Sequence, residues 1–210
     1  MTTKPAAAYA RAMGTVYDGI DSTLSNWLER QPLYVVATAP LAGDGLINCS
    51  PKGGAGTFRV LGERRVAYLD LTGSGVETIA HLRENGRIVL TFMSFDRRPT
   101  IVRLHGRGVV VSPGDDEFDS LAGEFADHPG ARAVIVVDVD RVADSCGYAV
   151  PLMDHVADRE VLDQSNAKKG PAGLATYRAE KNAVSLDGLP GLPVLPGLAL
   201  LPELPGLPGE

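Results

Sequence analysis

Apolar, β-branched and aromatic residues in this chain gather in short runs bounded by glycine, proline and aspartate. Short β-rich runs between turn signals are the signature of strands. They predict strands over Leu33–Ala39, Leu46–Ser50, Phe58–Leu61, Val66–Leu71, Ile88–Phe95, Ile101–Val111 and Ala133–Val139. Turn signals separate them, among them Ala42-Gly43-Asp44-Gly45, Gly53-Gly54-Ala55-Gly56, Asp96-Arg97-Arg98-Pro99 and Ser112-Pro113-Gly114. Short strands this closely spaced predict a barrel.

Three stretches switch to helical spacing. Asp21 and Ser22 offer N-caps to a helix that carries Leu24, Trp27 and Leu28 and stops at Pro32. Val76–Glu84 and Asp115–Ala126 each present one apolar face, the first with Ser74 and Glu77 spaced as a capping box. Past Cys146 the chain becomes polar and predicts a helical extension, Asp158–Lys169 and Pro171–Lys181, broken at Gly170-Pro171.

The end of the chain is different material. From Leu186 to Leu207 leucine stands at every third position, and six of the eight leucines precede a proline. In polyproline II, with three residues per turn, these leucines would share one edge, a strip suited to docking on the protein's own dimer or on a partner. The composition equally suits a flexible tail. The chain is thus expected to have an arm over 1–20, a barrel domain with its helical extension over 21–185, and a Leu-Pro tail over 186–210.

Composition narrows the function classes. A hydrophobic share of 44% supports a buried core, and 20 basic against 26 acidic residues argue against a nucleic-acid binder. No stretch has the length of a membrane span or the form of a signal peptide, so no membrane partner and a cytoplasmic location are expected. Two cysteines, Cys49 and Cys146, make no disulfide framework and are expected to be reduced. Both are expected to be buried, Cys49 as a small core residue. The four histidines are too scattered for metal-ligand spacing, so no metal site is expected.

Three clusters could carry chemistry. Asn48, Ser50 and Lys52 alternate on one face of a strand running into a glycine-rich turn. An amide, a hydroxyl and an ammonium together suit a planar cofactor bearing a phosphate, although they would equally suit a solvated strand end. Thr72, Gly73 and Ser74 lie between a strand and a helix N-terminus, where backbone N–H groups and the helix dipole favour an anion; an ordinary cap is the alternative. Arg103, His105 and Arg107 share a strand face and could complete an anion pocket or simply face water. No hydroxyl or thiol pairs with a histidine in the manner of a nucleophilic triad.

In order along the chain, Gln31-Pro32, Tyr34–Ala39, Asn48–Gly53, Tyr68–Gly75, Arg103–Gly106, Cys146–Pro151 and Tyr177–Asn182 resemble the pyridoxamine 5'-phosphate oxidase-like proteins. The likeness spans about Leu24 to Pro190 and omits the Leu-Pro repeat. The resemblance implies a mainly β (α+β) fold: a six-stranded split β-barrel with peripheral helices, dimerising around flavin mononucleotide (FMN), or in some relatives deazaflavin or heme. It further implies that the Asn48–Lys52 strand and the Thr72–Ser74 turn touch phosphate and ring, and that Lys181 and Asn182 reach the site from the extension. The oxidases that act on pyridoxamine phosphate carry an Arg-Lys pair where this chain has Ser74-Gly75, so their substrate does not transfer. The expectation is a homodimeric flavin-dependent oxidoreductase acting on a small-molecule redox substrate. The alternative is a non-catalytic binder of flavin, deazaflavin or heme, or a scaffold whose tail docks a partner; a heme would need His105, His155 or a cysteine as axial ligand.

Overall fold

A computed structural model describes residues 14–193. Eight strands form one antiparallel sheet: β1 (Val16–Tyr17), β2 (Leu33–Thr38), β3 (Asn48–Gly53), β4 (Phe58–Gly62), β5 (Arg65–Leu71), β6 (Arg87–Met93), β7 (Thr100–Val111) and β8 (Ala131–Cys146). Helices α1 (Ser22–Glu29), α2 (Glu77–Asn85), α3 (Phe118–Ala122) and α4 (Val161–Lys181) lie around it. The strand order is β3-β2-β6-β7-β8-β5-β4, with β1 added on β8.

The concave face is lined by the inward row of each strand. Tyr34, Val36, Leu90, Phe92, Leu104, Tyr68 and Ile135 are all buried in one cluster. The Tyr34 ring stacks on Phe92 at 5.0 Å between centroids, and Phe58 meets Phe92 at 4.9 Å. On the opposite face of β5 and β8, Leu69, Val134 and Val136 form a second cluster under Phe118, Leu121 and Phe125. With both faces covered, β5 and β8 are buried along continuous runs, whereas β2 and β6, covered on one side, alternate between buried and half-buried positions.

The architecture is the expected mainly β split barrel with peripheral helices, built from eight strands instead of six. All seven anticipated runs are strands; the eighth, β1, is two residues long, too short for a period to register. β3 begins later and runs further than anticipated, because Pro51, Lys52 and Gly53 pair with β2 through Val35, Tyr34 and Leu33. β8 extends to Cys146 because it pairs along the whole of β7. α3 is shorter than expected, since Asp115 caps a turn by accepting from the Ser112 N–H at 2.7 Å.

Asp21 caps α1, its carboxylate accepting from the Leu24 N–H at 2.7 Å. The capping box expected at α2 does not form: the cap position is Val76, without a side-chain bond, and Ser74 is exposed two residues earlier. α4 breaks where Gly170-Pro171 predicted, with Gly170 at φ 62° and ψ 177°.

After α4 the chain folds back as a strap. Gly191 and Leu192 donate to Ala183 O and Asn182 O, and Leu192 is buried in the core cluster. Leu186 is 78% exposed, so a turn closed by Gly188, and not a single leucine edge, governs the first part of the repeat. Residues 194–210, with the rest of the expected docking strip, and residues 1–13 of the expected arm lie outside the described residues. No helix among the described residues is long and apolar enough to cross a membrane.

Candidate functional site

A cleft of about 400 Å³ opens between β3 and the turn leading from β5 into α2. Its lining includes Ser50, Lys52, Leu69, Gly73, Thr78 and Arg132. Alternation along β3 puts Asn48, Ser50 and Lys52 on one half-buried row, as the sequence indicated. The Ser50 hydroxyl donates to Asn48 Oδ1 at 2.6 Å, and the Asn48 amide donates to Thr38 Oγ1 and Thr78 Oγ1 at 3.1 and 2.9 Å. Thr38 in turn lies 2.9 Å from Nδ1 of the fully buried His81.

Beneath the cleft sits a buried ionic cluster. Asp70 has a side chain with no exposure; Lys52 Nζ lies 3.1 Å from one carboxylate oxygen and Arg132 Nε 2.7 Å from the other. Burial pushes the Asp70 carboxyl up, but the fields of Lys52 and Arg132 and the hydrogen bonds from both outweigh it, holding the group below its ordinary value. Burial, reinforced by Asp70, pushes the phenols of Tyr34 and Tyr68 up, so both stay protonated.

Arg132 also ties the turn to the strap. Its guanidinium donates to Gly73 O, Gly75 O and Asn182 Oδ1 at 3.3, 2.8 and 2.8 Å. The Asn182 amide donates to Gly73 O at 2.9 Å. Thr72 donates its hydroxyl to Gly130 O at 2.8 Å and accepts from Arg178 Nε at 2.9 Å. Asn182 therefore reaches the turn, while Lys181 and Ser74 are exposed. Burial and the nearby Arg132 lower the Arg178 pKa.

Arg103 and His105 are not brought to this cleft. They lie on the outward face of β7, where Arg103 donates to Ser145 Oγ at 2.9 Å. His105 lines a shallow groove with Ala37, Ile47, Arg87 and Val89, and burial, then Arg141 and Arg103, lowers its pKa. Both cysteines are free, as expected, but exposed, against the expectation of burial. Cys49 is exposed on the row of β3 opposite Asn48, Ser50 and Lys52, and Cys146 ends β8.

The residues that pattern reading missed are Asp70, Arg132, Thr78 and Arg178. Two of them left a signal. Asp70 follows Val66 and Tyr68 in the inward row of β5, and Arg132 opens the apolar run of β8; a charge inside such a pattern requires a buried partner.

The fold and cleft define a split-barrel protein with a site of small-molecule size. Residues 20–146 match the family model for pyridoxamine 5'-phosphate oxidase, and the chain belongs to that family. It is 40% identical to the pyridoxamine 5'-phosphate oxidase family protein ustO of Aspergillus flavus, over 85% of this chain and 78% of that protein. Among solved structures, HupZ of Group A Streptococcus is similar at 20% identity with a TM-score of 0.46, covering 61% of this chain and 98% of that one. An FMN-binding protein from Syntrophomonas wolfei is similar at 14% identity with a TM-score of 0.43, covering 58% and 81%.

Proposed function

We propose that this protein is a flavin-dependent oxidoreductase that works as a homodimer on a small-molecule redox substrate, with FMN or a deazaflavin as its cofactor. The observation that carries this reading is the cleft itself in a chain of this family: a pocket of about 400 Å³ lined by both apolar and hydrogen-bonding side chains. Hydride or electron transfer would be supplied by the bound flavin, and the protein's part is orientation and charge near the ring.

FMN divides into a planar ring and a phosphate, and the cleft suits the two unequally. Leu71 and Leu162 offer apolar surface for a ring, while Lys52 and Thr78 offer donors to its heteroatoms and Ser50, whose proton goes to Asn48, offers an acceptor. Both cations at the cleft, Lys52 and Arg132, are already engaged by Asp70, so the phosphate finds a poor fit. In this reading Lys52 holds positive charge beside the ring and Asn48 fixes the orientation of Ser50 and Thr78.

Dimerisation is supported by apolar residues left on the outward face. Val35, Val89, Met93 and Ile101 there are only half-buried, and Val109 is 58% exposed. The absorption spectrum of the purified protein tests the cofactor. Oxidised-flavin bands that dithionite bleaches are expected; a protein that takes up neither flavin nor deazaflavin, or that shows a Soret band, overturns the reading.

A further inference from the structure

Two features of the cleft could hold a phosphate, and the chain's own carboxylates fill both. The first is the pair of cations. Arg132 spends its donors on Asp70, Asn182 and two backbone carbonyls, and Lys52 lies 3.1 Å from the same buried Asp70. The second is the N-terminus of α2, a nine-residue helix whose dipole favours negative charge. There Glu77, the first helical residue and part of the cleft lining, folds its carboxylate back over the turn. Its Oε2 lies 2.7 Å from where a Gly75 Cβ would stand, and its Oε1 accepts from the Leu186 N–H of the strap at 3.4 Å.

At the cleft, then, Lys52 and Arg132 stand against Asp70 and Glu77, and their charges cancel. Among the described residues, the neighbouring cation Arg178 donates to Thr72 Oγ1 and Ala131 O and does not line the cleft. A phosphate dianion placed here would meet two carboxylates at close range, with the cations lining the cleft among the described residues, Lys52 and Arg132, already engaged. A neutral heteroaromatic ring meets no such repulsion, and it can still accept from the N–H groups of Lys52 that Asp70 leaves free.

We propose that the cleft selects its ligand by the ring and not by a phosphate, with Asp70 and Glu77 as the residues that exclude the phosphate. The proposal deepens the flavin reading and rests on it. Its consequence is that riboflavin, which has the ring without the phosphate, is as good a ligand as FMN.

The test is fluorescence titration of the full-length protein, freed of any bound flavin, with riboflavin and with FMN at low and high salt. Dissociation constants within about threefold of each other, and little salt dependence for FMN, are expected. Replacing Glu77 by glutamine, a half-buried position where the fold should tolerate the change, is expected to tighten FMN about tenfold and leave riboflavin unchanged. A thermal-shift series with inorganic phosphate adds a readout that needs no flavin: no stabilisation is expected for the wild type, and some for Glu77→Gln. FMN binding more than about tenfold tighter than riboflavin in the wild type overturns the proposal and leaves the flavin reading standing. Failure of both flavins to bind overturns the flavin reading and the proposal with it. Phosphate stabilising the wild type overturns the proposal alone.

Discussion

A carboxylate sealed beneath a cleft is tolerated only while its cations stay with it, because an unpaired buried charge costs several kcal/mol. Asp70, with Lys52 and Arg132, is in that position. Asp70→Asn keeps the shape and leaves two cations without their counter-charge, one of them, Arg132, nearly buried. A loss of about 3–5 kcal/mol in urea denaturation near neutral pH is expected. The pH dependence follows from the direction of the shift. The folded carboxyl titrates below the unfolded one, so its stabilisation is complete above the unfolded value of about 3.9 and is lost as pH falls through the lower folded value. The wild type should therefore lose stability in that acid range, and Asp70→Asn should show a shallower acid limb. An acid limb of equal steepness in the variant would mean that Asp70 contributes little to it.

Among the elements, the strap after α4 holds the turn that forms one wall of the cleft. Asn182, at the end of α4, is fully buried, and Gly191 crosses it closely enough that a Cβ would lie 2.3 Å from Asn182 O and 2.8 Å from Val76 Cγ2. Gly191→Ala should push the strap off, because backbone and a buried valine cannot yield to it. A loss of about 1–3 kcal/mol and faster amide exchange over 183–192 are expected, with Gly43→Ala, where nothing lies within 4 Å, as the neutral control. Unchanged exchange in the strap of the Gly191→Ala protein would show that the segment already opens freely. The sequence marked α4, its break and its last two residues, yet placed the tail boundary before Leu186. A triplet leucine pattern registers residue spacing, whereas the docking of Leu192 into the core cluster depends on distant residues that no local pattern encodes.

At the scale of the whole molecule, the sheet shows an apolar outward face over β2, β6 and β7, next to an extended segment in which Tyr148 is 83% and Val156 95% exposed. A second copy of the chain is the partner proposed for this face. Light scattering on the eluting protein should give twice the chain mass, and Val35→Glu, which puts a charge on the outward row of β2, should shift it to the monomer with an unchanged circular dichroism spectrum. A monomeric wild type would remove the dimer from the reading and leave the cleft, which one chain builds alone.

What the sequence by itself determined about this protein is whatever has a short period or a local partner. Short apolar runs between turn signals marked every long strand, and two-residue alternation lined up Asn48, Ser50 and Lys52. Asp21 and Gly170-Pro171 marked a cap and a kink, because capping and proline sterics act within a turn. Only the tertiary structure decided what those side chains meet. Lys52 looked like a free cation for an anionic ligand until pairing of β3 with β2 and packing around β5 brought it to Asp70, 18 residues away. Arg103 and His105 share a strand with core residues, but the closure of the sheet turned their row outward. Charge neutralisation and facing are set by which distant strands become neighbours, and that depends on how the whole sheet closes.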